Sequence, residues 1–180
     1  MTRPAHRVWD PLIRVLHWTL AASVAVAWLT KDGGGLWHEW MGYLALAVVT
    51  LRLAWGRAGP RHARFAAFVR SPAETSRYFK RMLTRSEPRH LGHNPLGGWM
   101  IVALIANVIL VSASGWLYTT EAFWGVARVE DLHDALATCL LALVALHVTG
   151  VVVTSIRHRE NLAGAMVHGR KRPPGPTDVE

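Results

Sequence analysis

Four apolar segments, each long enough to cross a membrane as a helix, are the feature that most constrains the fold of this chain. They cover residues 12–29, 37–55, 98–119 and 132–156. A helix needs about 20 predominantly apolar residues to cross the hydrocarbon core of a bilayer. Hydrophobic residues make up 51% of the sequence and its mean hydropathy is +0.18, which is too apolar for an ordinary basic soluble domain. We therefore expect an all-α fold, an integral membrane four-helix bundle that forms one domain over residues 1–172.

Positive charge is concentrated in the connections on one side of the predicted spans. The 57–97 loop contains nine Lys and Arg residues and the C-terminal tail five more, whereas the connections on the other side contain only Lys31 and Arg128. By the positive-inside rule, both termini and the long loop are cytoplasmic, and connections 30–36 and 120–131 face outward. Topology and affinity for anionic membrane lipid explain the charge. We therefore expect no nucleic acid to bind.

The regions outside the spans show weaker patterns. Residues 72–84 of the long loop alternate apolar and cationic side chains in the manner of a short amphipathic helix, which we expect on the inner membrane surface. The C-terminal tail is rich in Pro and charge, so we expect residues 173–180 to be disordered. The N-terminus has the basic residues of a signal peptide, but Arg14 and His17 interrupt its apolar core. We expect this first helix to be retained as an anchor.

Four of the ten histidines lie in or at the ends of the apolar segments, at two depths. His133 and His147 are fourteen residues apart, so one helix separates them by about 21 Å along its axis and within roughly 40° around it. With the N-terminus inside, His17 lies in the cytoplasmic half with His147, and His38 lies at the outer face with His133. Ionisable side chains are costly in hydrocarbon, so each is a candidate functional residue.

Two pairs of histidines at two depths are what two six-coordinate b haems need, each iron being held by imidazoles from facing helices. No CxxCH motif occurs, which excludes covalent c-type attachment. A zinc site made of all four histidines is excluded because about 20 Å separates the two levels. A di-metal carboxylate site lacks acidic residues in the bundle core, since Glu39 and Asp134 lie at the outer edge. The alternative is that these histidines only hold helices together as polar residues, or that His38 and His133 are interfacial residues that merely reach the headgroups.

Four other residues are candidates for contact with the haems. Gly42 follows His38 by four positions and Gly150 follows His147 by three, and their small size leaves room for a porphyrin. Arg14 and Arg52 are candidates for the haem propionates on the inner side. Close helix packing explains the glycines equally well, and snorkelling of long side chains to the membrane surface explains the arginines.

A polar and aromatic group at the inner face is a candidate quinone site. It consists of Trp9, Asp10, Arg14 and the turn at 93–95. The alternative, which we favour, is anchoring of the interface by Trp9 and capping of the loop by Asn94. No Ser-His-Asp set, phosphate-binding loop or other reaction motif appears, so we predict no catalytic side chains.

The chain resembles the bacterial cytochrome b family that includes the cytochrome b(561) proteins and the b-type subunits of nickel-iron hydrogenases. The motifs that carry the resemblance are VWDPLIRVLHW at 8–18, GHNPLGGWM at 92–100, and His133 and His147. The resemblance covers about residues 7–172. It implies two bis-histidine b haems in a four-helix core, and electron transfer between an outer-side donor and membrane quinone. Hydrogenase b subunits often have a fifth segment, which favours here a stand-alone or cytochrome c-coupled form.

The resemblance also implies which residues hold the irons, namely His17, His38, His133 and His147. The expected function is therefore relay of electrons across the bacterial inner membrane, between an outer-side redox partner such as a periplasmic cytochrome c and the quinone pool. One alternative is a superoxide oxidase that reduces quinone, which would need a cationic outer funnel. Another is a non-redox membrane adaptor whose histidines only pack helices.

Overall fold

Helices form most of the structure, a computed structural model that describes residues 6–33 and 35–179. The seven helices among these residues are α1 (Pro11–Leu29), α2 (Leu36–Ala58), α3 (Phe65–Phe68), α4 (Pro72–Leu83), α5 (Pro95–Tyr118), α6 (Ala127–Arg157) and α7 (Leu162–His168). Short 3₁₀ turns lie at Lys31–Gly33 and Arg61–Ala63. The strands β1 (His6–Arg7) and β2 (Arg170–Lys171) form one antiparallel pair. The prediction of an essentially helical chain is confirmed.

Three of the described helices, α1, α5 and α6, are long and apolar enough to cross a membrane. The second predicted span, 37–55, is also a single helix, α2, with 23 residues. It is less apolar because His38, Glu39 and Arg52 interrupt its hydrophobic residues. That α2 also crosses the membrane, as the predicted four-helix bundle requires, therefore stays a prediction.

Polar side chains set where two of these helices begin. Asp10 Oδ1 accepts hydrogen bonds from the backbone N–H groups of Leu12 at 2.9 Å and Ile13 at 3.2 Å. Asn94 Oδ1 accepts one from Gly97 N at 2.7 Å. In both helices a proline follows the capping residue, where its fixed φ suits the first turn and its missing N–H costs nothing. Because Asn94 caps it, α5 begins at Pro95, three residues before the start that the apolar run predicts.

The contacts between residues divide the chain into two compact units. The loop unit comprises Met1–Arg14, Trp55–Val102 and Leu146–Glu180, and the span unit comprises Val15–Ala54 and Ala103–Ala145. The span unit has a mostly aliphatic core, with Val49 and Val108 almost completely buried. The loop unit contains the two strands, α3, α4 and α7.

The amphipathic helix predicted at 72–84 is present as α4. Ser71 and Glu74 form a capping box at its start, with Ser71 Oγ accepting from Glu74 N and Glu74 Oε2 accepting from Ser71 N, both at 3.2 Å. Such reciprocal bonds satisfy two backbone donors that a helix start leaves unpaired. Tyr78 is buried, whereas Phe79 and Leu83 are exposed.

The loop unit joins the two ends of the described chain. Trp9 and Val8 donate their backbone N–H groups to Gly169 O, at 3.2 and 3.0 Å. Gly169 has φ of 81° and ends α7 in the left-handed conformation, and a Cβ there would lie 2.8 Å from Trp9 O. Only glycine meets both requirements without strain.

A buried cluster of charges holds the tail. Arg89 donates to Glu160 through Nη2 at 2.6 Å and Nε at 3.2 Å, and it also pairs with Asp178. All three side chains are at least nine-tenths buried. Burial would raise the pKa of Glu160, but the hydrogen bonds from Arg89 and from Arg172 N hold that pKa below its ordinary value.

Two residues of the tail, Asp178 and Val179, contact Arg89 and its neighbours, while the disorder expected for residues 173–180 stays a prediction. Val179 N donates to Arg89 O at 2.8 Å, and Leu91 N donates to Val179 O at 2.9 Å. The composition of the tail did not reveal these contacts because they depend on Arg89, which is 89 residues away from Asp178 in the sequence. Charge-assisted hydrogen bonds of this kind offset the entropy cost of ordering a polar segment.

Replacing Glu160 with Gln is expected to lower the free energy of unfolding by about 3 kcal/mol, because it leaves Arg89 buried with one carboxylate fewer. The measurement is thermal or denaturant unfolding, with Glu121→Gln on an exposed turn as the control. Because the folded-state pKa of Glu160 is lowered from 4.5, this stabilisation is present above that pH and is lost as the pH falls through the folded value. Equal stability of the two variants would contradict the prediction.

Candidate functional site

The span unit brings together the two histidines predicted at the outer face. His38 lies in the first turn of α2 and His133 in the second turn of α6. Their ring centroids are 6.0 Å apart, with an angle of 75° between the ring planes. Both side chains are half-buried. Two residues that are 95 positions apart in the sequence thus face each other, as their common predicted depth requires.

The Nδ1 atoms of both rings are engaged with backbone carbonyl groups. His38 Nδ1 lies 2.9 Å from Ala27 O, and His133 Nδ1 lies 3.1 Å from Val111 O. A carbonyl oxygen can only accept, so each Nδ1 carries the proton and donates it. In a neutral imidazole the lone pair is then on Nε2, which is the tautomer that binds a metal through Nε2.

The ring separation of 6.0 Å lies within the range of roughly 4.5–7 Å that edge-on ring pairs adopt, so the donor set, and not the distance, supports ligation. The donor set, two neutral imidazoles oriented by carbonyl groups, is that of a bis-histidine haem iron. His38 and His133 therefore fit the haem that the sequence predicts at the outer level.

Helix α5 supplies the surroundings of His133. Ser114 Oγ lies 3.1 Å from His133 Nδ1, beside the bond to Val111 O. A Cβ at Gly115 would lie 2.9 Å from His133 Cε1, which is closer than real Cβ contacts, so the ring occupies space that only glycine leaves. Val111, Ser114 and Gly115 are spaced by three and four residues and share one face of α5. The SASG run at 112–115 was the available sequence signal for this contact.

The glycines predicted to make room for porphyrins have space beside them. Among the described residues, none has a heavy atom within 4 Å of a Cβ built at Gly42 or at Gly150. Gly42 is half-buried and one turn after His38, whereas Gly150 is exposed. The space at Gly42 is therefore on the same side of α2 as the ligand, as the predicted role requires.

The two histidines predicted at the inner level belong to different units. His17, on α1 in the span unit, is half-buried and packs its ring edge-on against Trp18 at 5.2 Å. His147, on α6 in the loop unit, is also half-buried. Their pairing about a second iron stays a prediction.

The two candidate arginines are both half-buried. Arg14 Nη1 donates to Val167 O at 2.5 Å, while its Nε is buried and has no hydrogen-bond partner in the part of the chain that the structure describes. A buried guanidinium N–H fits an anionic group such as a propionate. Arg52 lies on α2, in the span unit.

The candidate quinone group at the inner face is largely explained by helix capping and packing. Asp10 caps α1, and its Oδ2 accepts a hydrogen bond from Trp55 Nε1 at 3.4 Å. Trp9 is buried, with its ring 4.5 Å from that of His93. Asn94 caps α5, as the favoured alternative predicts, whereas the burial of Trp9 differs from the interfacial anchoring expected of it. The sequence missed the role of Asp10, although Asp followed by Pro is a common helix start.

Comparison with known proteins identifies the family of this chain. The family described as prokaryotic cytochrome b561 matches residues 8–169. The chain belongs to this family. It is also 24% identical to the probable Ni/Fe-hydrogenase B-type cytochrome subunit of Bradyrhizobium diazoefficiens, over 94% of this chain and 87% of that protein. No solved structure gives a significant match.

Membership of the family confirms the resemblance carried by the 8–18 and 92–100 motifs. The chain is a multi-pass membrane protein, a b-type cytochrome of electron transfer, and haem b is its implied cofactor. His38 and His133 both lie within the matched region. The name of the relative mentions nickel-iron hydrogenase, and that name applies to the relative.

Replacing Gly115 with Ala is expected to weaken haem binding by about tenfold or more, since the methyl group displaces the His133 ring from the carbonyl that orients it. The measurement is haem per chain after purification in detergent, with the α-band of the reduced spectrum as a second readout. Gly33→Ala is the matched control, because a Cβ there meets nothing within 4 Å. Full haem content in the Gly115 variant would show that the His133 position is irrelevant to binding.

Proposed function

We propose that this cytochrome holds two b haems, one between His38 and His133 and one between His17 and His147, and relays electrons across the inner membrane. The observation that carries the proposal is the outer pair, in which both Nδ1 atoms bind carbonyl groups. Histidines that only pack helices together do not need both of their Nδ1 atoms bonded to backbone carbonyl groups. The second pair is inferred from depth along the helices.

The haem irons supply the one-electron chemistry, and the chain supplies their ligation and surroundings. The carbonyl groups of Ala27 and Val111 hold His38 and His133 in the tautomer that leaves Nε2 for the iron. The hydrogen bonds also raise the basicity of the ligands, which favours the oxidised iron and lowers its potential. Arg14 offers its buried Nε to a propionate at the inner side.

The two levels of ligands make a two-step path for electrons. His133 and His147 are fourteen residues apart on α6, about 21 Å along the axis, which is most of the thickness of the hydrocarbon core. One haem thus exchanges electrons with a partner outside the membrane, and the other with quinone near the cytoplasmic face. By the positive-inside rule, the N- and C-termini lie in the cytoplasm.

The outer partner is a periplasmic redox protein such as a cytochrome c. The related Bradyrhizobium protein carries the name of a hydrogenase subunit, whereas this chain has four apolar segments of spanning length. We propose a soluble donor or acceptor that binds and dissociates.

The charges of the outer connections disfavour the superoxide oxidase alternative. Lys31, one of the two cations there, pairs with Asp32 at 2.5 Å. Glu121, Glu130 and Asp131 are exposed in the same unit as Lys31. An anionic substrate is repelled by such a surface, which lowers its rate of encounter.

Single histidine variants test the two-haem scheme. We expect His38→Ala and His133→Ala each to retain one of the two haems, and His17→Ala and His147→Ala each to retain the other. The measurement is a pyridine haemochrome count with a reduced-minus-oxidised spectrum, and His168→Ala, exposed at the end of α7, is the control. Loss of both haems in every variant would contradict the proposed pairing. A colourless wild-type protein would indicate that the histidines only pack the helices together.

Replacing Asp10 with Asn separates capping from quinone chemistry. Asn is as good a helix cap as Asp, so the variant is expected to fold normally and to reduce quinone at the wild-type rate. Asp10→Ala is expected to lose about 1 kcal/mol of stability through loss of the cap. The measurements are quinone reduction in detergent and thermal unfolding. A large loss of quinone reduction in Asp10→Asn, with normal stability, would place Asp10 in the quinone site.

A further inference from the structure

The loop unit contains a cavity lined by none of the four candidate haem ligands; one of its lining residues, His93, belongs to the candidate quinone group. Its volume is about 230 Å³. It lies between the segment from Arg61 to Arg70, which contains α3, and the segment from His90 to His93 that precedes α5. Its volume is below the roughly 300–1,000 Å³ of sites for drug-sized ligands, so it suits a small group.

The lining of the cavity is cationic. Five of its nine lining residues have side chains that carry or can accept positive charge; these are Arg61, His62, Arg70, His90 and His93. No Asp or Glu is among the nine. Guanidinium groups, with imidazole N–H donors beside them and no carboxylate, are suited to an anion with several acceptor oxygens.

A further cation, Lys171, contacts the wall of the cavity that His90 and Gly92 form. Lys171 Nζ donates to His90 O and to Gly92 O, both at 3.4 Å, and lies over the ring of Trp9. Burial lowers the pKa of Lys171 to about 8. Burial, together with Arg70 and Lys171, also lowers the pKa of His90, as expected where positive potential accumulates.

Packing holds two of the lining residues, His90 and His93, in place before any ligand arrives. His93 lies between the rings of Trp9 at 4.5 Å and Phe68 at 4.8 Å. The ring of His90 packs edge-on against Tyr78 at 5.3 Å, and its Nδ1 donates to Pro88 O at 3.2 Å. Side chains that are ordered in advance lose little entropy when they bind a ligand.

Arg70 connects the cavity to the start of a membrane helix. Its backbone carbonyl accepts a hydrogen bond from Trp99 Nε1 at 3.0 Å, and Trp99 lies in the first turns of α5, a candidate span. Tryptophan is enriched where a membrane helix reaches the headgroups. The cavity is therefore at headgroup level, on the side that the positive-inside rule assigns to the cytoplasm.

We propose that this cavity binds a phosphate group, carried by an anionic phospholipid of the inner leaflet. The phosphate accepts hydrogen bonds from Arg61 and Arg70, and the acyl chains extend along the outside of the membrane helices. Basic pockets on the cytoplasmic side of membrane proteins bind lipid headgroups in this way. The proposal does not depend on the number of haems.

The test uses the full-length, haem-loaded protein in a neutral detergent, with phosphatidylglycerol, phosphatidylcholine or inorganic phosphate added. Thermal unfolding reports binding as a rise in the midpoint, and native mass spectrometry counts the bound lipid. We expect phosphatidylglycerol to raise the midpoint, phosphatidylcholine to have little effect, and Arg70→Gln to weaken binding of phosphatidylglycerol by about tenfold.

Two further variants separate a built site from general attraction. Arg77→Gln removes the same charge from the exposed face of α4, outside the cavity, and is expected to bind as the wild type does. Ala66→Met reduces the volume without changing charge, and is expected to weaken binding as Arg70→Gln does. The haem spectrum and the midpoint without lipid show that each variant is folded.

The outcomes differ for each source of phosphate. A shift caused by phosphatidylglycerol and lost in both cavity variants supports the lipid. An equal shift with inorganic phosphate alone, also lost in those variants, supports the phosphate chemistry but overturns the lipid as its source. No shift with either ligand, or an equal loss in Arg77→Gln, overturns the proposal.

Discussion

A polar side chain inside a membrane helix needs a partner, because hydrocarbon offers none, and this requirement organises the span unit. His38 and His133 satisfy one ring nitrogen each with the carbonyl groups of Ala27 and Val111. The same bonds fix which nitrogen remains for a metal. Gly115 is needed because the ring of His133 lies where its Cβ would be. Ligand orientation and helix packing therefore depend on the same few contacts.

In the loop unit, charge neutralisation has the corresponding role. Arg89 is buried, and two carboxylates that are remote in sequence, Glu160 and Asp178, compensate it. Uncompensated burial of a guanidinium would be strongly unfavourable. The cavity beside Arg70 presents the opposite arrangement, in which cations converge without a carboxylate among the lining residues. The charges around Arg89 thus neutralise one another within the loop unit, whereas the cavity beside Arg70 is suited to an anion from outside it.

The sequence predicted the elements that depend on local patterns. Apolar length predicted α1, α5 and α6, and the alternation of apolar and cationic residues predicted α4. Helical spacing and depth brought His38 and His133 together across 95 residues, because helix rise and orientation convert position in the sequence into depth. The same reasoning predicts a second pair, for which a direct test is needed.

Features that depend on contacts between remote segments were not predicted from the sequence. The contacts of Asp178 and Val179 depend on Arg89, and no local property of the tail indicates that partner. The carbonyl partners of the histidines were also missed, since backbone acceptors have no signature in side chains. Hydrophobic length overestimated the apolar character of α2, where charged residues lie within the run.

The pairing of β1 with β2 has a consequence for how the protein is made. His6–Arg7 precede every described helix, and Arg170–Lys171 follow them all. During synthesis the first strand therefore leaves the ribosome long before its partner exists, while the apolar helices between them are already entering the bilayer. The two strands can therefore pair only after every helix between them has been synthesised, so the connectivity of this two-residue ladder makes closure of the loop unit a late step.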